Sequence, residues 1–168
     1  MHRPGMPEKK NPYITAVLLA FTADQLCKRE AERNLPLQKS VPLSFAPADK
    51  VSLQHVKNKG FALNRLDKYP ALIRLTSAAV CAATGVGFAK ALQKKEDPFT
   101  KMGLALSFGG GLSNTLDRVV KQEVTDYLAV RHGEKAVVYN LADFSLFAGM
   151  VLIGAGAVWK SRKQNNRE

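Results

Sequence analysis

A stretch with no charged residue, Phe144 to Trp159, constrains this chain more than any other segment. A run of that length and character has to be removed from water, in a core or in a bilayer. At its head stands a carboxylate, in Tyr139-Asn140-Leu141-Ala142-Asp143. An ionisable group at the mouth of a segment that wants hydrocarbon is costly, and by default it marks a functional site.

Three more segments have related character. Reading spans at roughly 17–25 mostly apolar residues, the chain predicts helices over about 13–28, 72–92, 102–118 and 137–159. Arg74 and Lys90 lie near the ends of the second span, where their side chains can reach an interface. Between the first two spans lies an insertion, about 29–70, punctuated by Pro36, Pro42, Pro47 and Pro70. Within it Val51 to Val56 reads as a strand, and Gly60 to Leu66 as a turn entering another. The expected fold is an all-α membrane protein in one domain over 1–168. It has four transmembrane helices and a small extracytoplasmic, β-containing insertion between helices 1 and 2. The average composition is also that of a soluble protein, with 46% hydrophobic residues and a mean hydropathy of -0.15. A soluble helical bundle with Ala- and Gly-rich contacts therefore stays open. The basic N-terminus followed by Tyr13 to Phe21 resembles a signal peptide. Phe21 occupies a position where cleavage needs a small residue, so a retained first span is expected.

The net charge of +11 suits either nucleic acid or an anionic membrane surface. The basic residues are spread over every polar segment, with no basic helix interleaved with aromatics, so no nucleic-acid partner is expected. Cys27 and Cys81 are far apart, and His2, His55 and His132 are isolated. No spacing suits zinc, and neither a metal nor a cofactor is expected.

Lys and Arg are denser in the termini and in the 90–101 loop than in 27–71 and 118–135. By the positive-inside tendency both termini then lie in the cytoplasm. The third span runs outward to Asp117-Arg118, with Asp126 shortly beyond. Asp143 precedes Trp159 by about 24 Å of helix at 1.5 Å per residue. Asp126 and Asp143 are therefore expected at a similar depth near the outer face, with Asp24 and Lys28 near them at the end of span one. Two close carboxylates do not both ionise easily. One can hold a proton while the other accepts one, which is equipment for activating water. Structural roles remain for Asp126, as a helix cap or as a partner of Arg118 or Arg131.

Four blocks in order resemble signal peptidase II, the lipoprotein signal peptidase. Asp24-Gln25-Leu26-Cys27-Lys28 falls on an Asp-Gln-x-x-Lys pattern, and Asn58-Lys59-Gly60 on Asn-x-Gly. Gly109 to Arg118 follows Gly-Gly-x-x-x-Asn-x-x-Asp-Arg, with Val124-Thr125-Asp126-Tyr127 on Val-x-Asp-Phe. Tyr139 to Asp143 follows Phe-Asn-x-Ala-Asp. Together the blocks span about residues 12–160.

The resemblance implies an aspartyl endopeptidase of the bacterial cytoplasmic membrane. It would be multi-pass and monomeric, in contact with membrane lipids, with its active site near the outer face. It would cut signal peptides from diacylglyceryl-modified prolipoproteins. Asp126 and Asp143 fall on the catalytic pair. Asn58, Asn114, Arg118 and Asn140 fall on substrate-binding or dyad-orienting positions, and Asp24, Lys28, Asp117 and Gly60 on supporting ones. The family usually has Gly where Ser113 and Gln122 stand, and a different sequence at Phe61-Ala62-Leu63. These departures motivate an alternative, a catalytically idle relative that binds lipidated proteins or lipids.

Overall fold

The computed structural model describes residues 11–43, 50–60, 68–133 and 135–166. The expected turn and strand entry over Gly60 to Leu66 lies largely outside them. Four long helices carry the chain: α1 (Pro12–Asn34), α2 (Pro70–Gln93), α3 (Pro98–Val120) and α4 (Leu141–Asn165). The first three begin with proline at a position where the missing N–H costs nothing. The Asn11 and Asp97 side chains accept amide hydrogens at the starts of α1 and α3.

Between the helices run β1 (Ser40–Pro42), β2 (Val51–Asn58), β3 (Val124–His132) and β4 (Lys135–Tyr139). They form one antiparallel sheet in the order β1-β2-β3-β4. The strand expected at Val51 is β2, but β structure is not confined to the 29–70 insertion. Half the sheet comes from 124–139, and α4 begins at Leu141 rather than Val137. Val137, Val138 and Tyr139 pair with Val130, Ala129 and Leu128. An apolar run beside an apolar helix reads as its first turn until a partner strand is known. Gly133, with φ +60, turns the β3–β4 hairpin in the left-handed region that glycine enters freely.

α3 is the central helix, packed against α1, α2 and α4. Glycines allow the close approach. A Cβ on Gly110 would lie 2.6 Å from the Ala142 carbonyl oxygen, and one on Gly109 2.7 Å from that of Val17. Small residues of this kind let membrane helices pack backbone to backbone. The buried apolar core is small, built on Val17, Phe88 and Ala105 with Leu104 and Phe108 around it. Much of the large apolar surface faces outward, including Leu19, Leu75, Val80, Phe147, Met150 and Val151. Water-soluble monomers rarely tolerate so much exposed apolar surface. Among the described residues two helices, α2 and α4, are long and apolar enough to cross a membrane.

Candidate active site

The interior polarity of the helices is gathered at one end, where α3 finishes, α4 starts and the sheet lies. Asp24, Lys28, Ser113 and Asp117 are essentially fully buried there, and Asn114, Asp126 and Asn140 nearly so. Lys28 Nζ lies 2.7 Å from Asp24 Oδ2 and 2.9 Å from Asp117 Oδ2. It also donates to Asn114 Oδ1 at 2.7 Å. The Ser113 hydroxyl donates to Asp24 Oδ2 at 2.6 Å, and Gln25 Nε2 donates to Ser113 Oγ at 2.9 Å. A charge can be buried only when paired and hydrogen-bonded in this manner. One lysine between two aspartates, with a hydroxyl and two amides, meets that condition.

Asn114 carries the cluster to the first carboxylate. Its Nδ2 donates to Asp143 Oδ1 at 2.9 Å, and its orientation is fixed because Oδ1 faces the Lys28 ammonium. Asp143 lies in the first turn of α4, in a reciprocal cap with Asn140. Its amide donates to Asn140 Oδ1 at 3.0 Å, and its Oδ2 accepts the Asn140 amide at 3.2 Å. The Asn140 side chain has a second task. Its Nδ2 donates to Asp126 Oδ1 at 2.6 Å. One asparagine thus contacts both carboxylates.

Asp126 projects from β3 and accepts at Oδ2 from Asn58 Nδ2, 3.0 Å away on the neighbouring strand. The Asn58 Oδ1 accepts the Gly60 amide at 3.0 Å, which orients its amide toward the aspartate. Burial pushes the Asp126 carboxyl up, the Asn58 and Asn140 hydrogen bonds hold it down, and the charge of Asp143 raises it again; the balance is about 6. Arg118 Nη2 reaches the Gly60 carbonyl at 3.4 Å, and the guanidinium feels the charges of Asp143 and Asp126.

These groups open onto a cavity of about 660 Å³ between α2, α3, α4 and the sheet. Asn58, Asn114, Arg118, Asp126, Asn140 and Asp143 all line it, and Val80, Phe147 and Met150 extend it along the helices. Apolar walls with a few convergent polar groups are the usual make-up of a binding site. Among the described residues no group of His, Cys, Asp and Glu could hold a metal ion.

All the residues singled out in the sequence converge on this end of the bundle. Asp126, Asp143, Asn58, Asn114, Arg118 and Asn140 face the cavity. Asp24, Lys28 and Asp117 form the buried cluster behind, and Gly60 supports Asn58 and Arg118. Neither Ser113 nor Gln122 is hydrogen-bonded to Asp126 or Asp143, and the departure at Phe61-Ala62-Leu63 lies outside the described residues. The Ser113 hydroxyl completes the Lys28 cluster. Gln122 adopts φ +64 on an exposed turn after α3, which explains a preference for glycine there. Sequence reasoning did not assign a role to Tyr127, whose hydroxyl lies between Asp24 and the start of α4. The signal was its place in a motif that otherwise reads Phe.

The fold is that of bacterial membrane enzymes. One such enzyme, solved by the in meso method at 2.3 Å resolution, superposes with a TM-score of 0.78 at 22% identity. The match covers 95% of this chain and 93% of that one. A second, at 1.9 Å resolution, gives 0.74 at 23% identity, covering 89% and 94%. The sequence model of Signal peptidase (SPase) II matches residues 16–159, and the chain belongs to the signal peptidase II family. The lipoprotein signal peptidase of Geobacter metallireducens is 31% identical over 159 residues, 90% of this chain and 92% of that protein. That of Bacillus subtilis is 28% identical over 160 residues, 93% and 99%.

Proposed function

We propose that this protein removes signal peptides from diacylglyceryl-modified prolipoproteins, with Asp126 and Asp143 as an aspartyl dyad. The observation that carries the reading is the shared asparagine. Asn140 contacts both carboxylates at the mouth of an apolar-walled cavity, which a lipid-modified, hydrophobic substrate would suit. The family and its named relatives support the reaction. The dyad assignment rests on the chemistry of the site.

With one proton between the pair, the ionised carboxylate takes a proton from water while the new O–C bond forms at the scissile carbonyl. The protonated carboxyl gives its proton to the carbonyl oxygen. Collapse of the tetrahedral intermediate breaks the C–N bond: the leaving nitrogen takes the proton that came from water, and a hydroxyl of the intermediate returns a proton to the other carboxylate as the carbonyl re-forms. Asn58, Asn114, Arg118 and Asn140 orient the dyad or hold substrate. Asp24, Lys28, Asp117 and Gly60 support them.

In this reading α1 to α4 are four spans of one domain, and residues 29–70 lie outside together with the β3–β4 hairpin. Both termini are cytoplasmic, the site sits near the outer face of a bacterial cytoplasmic membrane, and the enzyme works as a monomer among lipids. The exposed apolar surface of the helices and the basic cytoplasmic loops support that placement. The test is cleavage of a lipidated prolipoprotein by Asp126→Asn and Asp143→Asn. Both variants should fold and neither should cleave; activity in either removes that residue from the dyad.

A further inference from the structure

The two carboxylates stand on different elements, Asp126 on β3 and Asp143 in the first turn of α4. Their separation therefore depends on how the start of α4 is held against β3. Consecutive residues of β3 hold it from two sides, because side chains alternate across a strand. On one side Asp126 Oδ1 accepts from Asn140 Nδ2 at 2.6 Å. On the other, the Tyr127 hydroxyl accepts the Leu141 amide at 3.0 Å and lies 3.3 Å from Asp24 Oδ1, to which it donates. Asp24 Oδ1 also accepts the next amide, Ala142, at 3.1 Å. The first amides of a helix have no partner within it. Here two of them are tied to β3 and to the buried Asp24–Lys28 pair.

We infer that Tyr127 is a positioning residue for the dyad: its hydroxyl fastens the Leu141 amide to the Asp24 cluster and so sets where α4 presents Asp143 to Asp126. The hydroxyl touches neither carboxylate of the dyad. Burial and the charge of Asp24 both disfavour its ionisation, so it remains a donor to Asp24. The inference rests on the dyad proposed above.

The experiment compares the purified enzyme with Tyr127→Phe, which removes only the hydroxyl, and Leu141→Pro, which removes the amide donor at its other end and replaces the partly exposed leucine side chain. Proline is tolerated at this first helical position, and Asn140 before it is already extended, at φ -128 and ψ 171. Initial rates are measured on a lipidated prolipoprotein. Each single variant should lose kcat by about three- to tenfold, as expected for one or two hydrogen bonds, with KM within about twofold. The double variant should be no slower than Tyr127→Phe, since that change already deletes the Leu141–Tyr127 bond along with the one to Asp24. Independent, multiplying losses overturn the inference, as does unchanged kcat in Tyr127→Phe. A loss that appears only in KM, or only as a lower melting temperature, also overturns it. Asp126→Asn is run in the same assay. If it still cleaves, the dyad falls and this inference with it. If it is inactive while Tyr127→Phe matches the parent, the inference alone falls.

Discussion

Lys28 reaches Asp143 through one side chain. Asn114 accepts from Lys28 Nζ at 2.7 Å and donates to Asp143 Oδ1 at 2.9 Å. The lysine therefore fixes which way the Asn114 amide faces, besides neutralising Asp24 and Asp117. Lys28→Met keeps the length of the stem and deletes the charge, leaving buried Asp24 without its cation and Asp117 with only Lys121 Nζ, 3.3 Å away. Breaking a buried pair costs about 3–5 kcal/mol. The variant should melt far below the parent in detergent, or fail to accumulate in membranes. A melting temperature within a degree or two of the parent would show that the cluster carries little of the fold's stability.

Asn140 combines two roles that one substitution can separate. Asn140→Ala loses both the helix cap and the contact to Asp126. It should cost about 1 kcal/mol of stability and about a hundredfold in kcat through misplacement of the dyad. Serine caps helices as well as asparagine does, but its hydroxyl is too short to cap α4 and reach Asp126 together. Asn140→Ser should recover the melting temperature and leave kcat depressed. Recovery of both together would assign Asn140 to capping alone.

The pH dependence follows from the Asp126 carboxyl, raised to about 6 chiefly by burial. Between its ordinary value of 3.8 and about 6, the native protein keeps a proton that the unfolded chain has released. Stability therefore falls as pH rises through that window and levels off above it. Activity needs one proton on the pair, so kcat/KM should decline as pH rises through the pair's upper apparent pKa. The Asn58 amide stabilises the charged form of Asp126. Asn58→Leu should raise that pKa and move the alkaline limb of the profile to higher pH. A limb that stays in place, or moves down, contradicts the assigned role of Asn58.

Local sequence was enough to locate the acids and less able to locate the strands. Asp126 and Asp143 were legible as a pair because apolar helices that alternate in direction bring every second loop to the same end. The sheet was only half legible. Val51 to Val56 stood alone between prolines and read as a strand. Val137 to Tyr139 adjoined an apolar helix, and only pairing with β3 separates them from it. Tyr127 was not readable as a positioning residue, since its partners Asp24 and Leu141 lie on two other elements and meet it only through the fold. Small residues on α4 were visible as a group, yet the sequence could not say which of them sit in a contact.

That last distinction can be measured. A Cβ on Gly103 would lie 2.6 Å from the Gly149 carbonyl oxygen and 2.9 Å from the Ile153 amide nitrogen, both backbone atoms of α4. Neither can move without shifting the helix, so Gly103→Ala forces α3 and α4 apart. Overpacking of this kind costs about 1–3 kcal/mol. Gly154, on the same helix as Gly149, has open space where a Cβ would go. Gly154→Ala meets nothing and should gain about 0.5–1 kcal/mol from the higher helix propensity of alanine. The two variants should therefore shift the melting temperature in detergent in opposite directions. Because the α3–α4 contact also sets the width of the cavity, Gly103→Ala should lower cleavage while Gly154→Ala leaves it unchanged. Equal shifts for the two glycines would mean that the α3–α4 contact is looser than the backbone distances require.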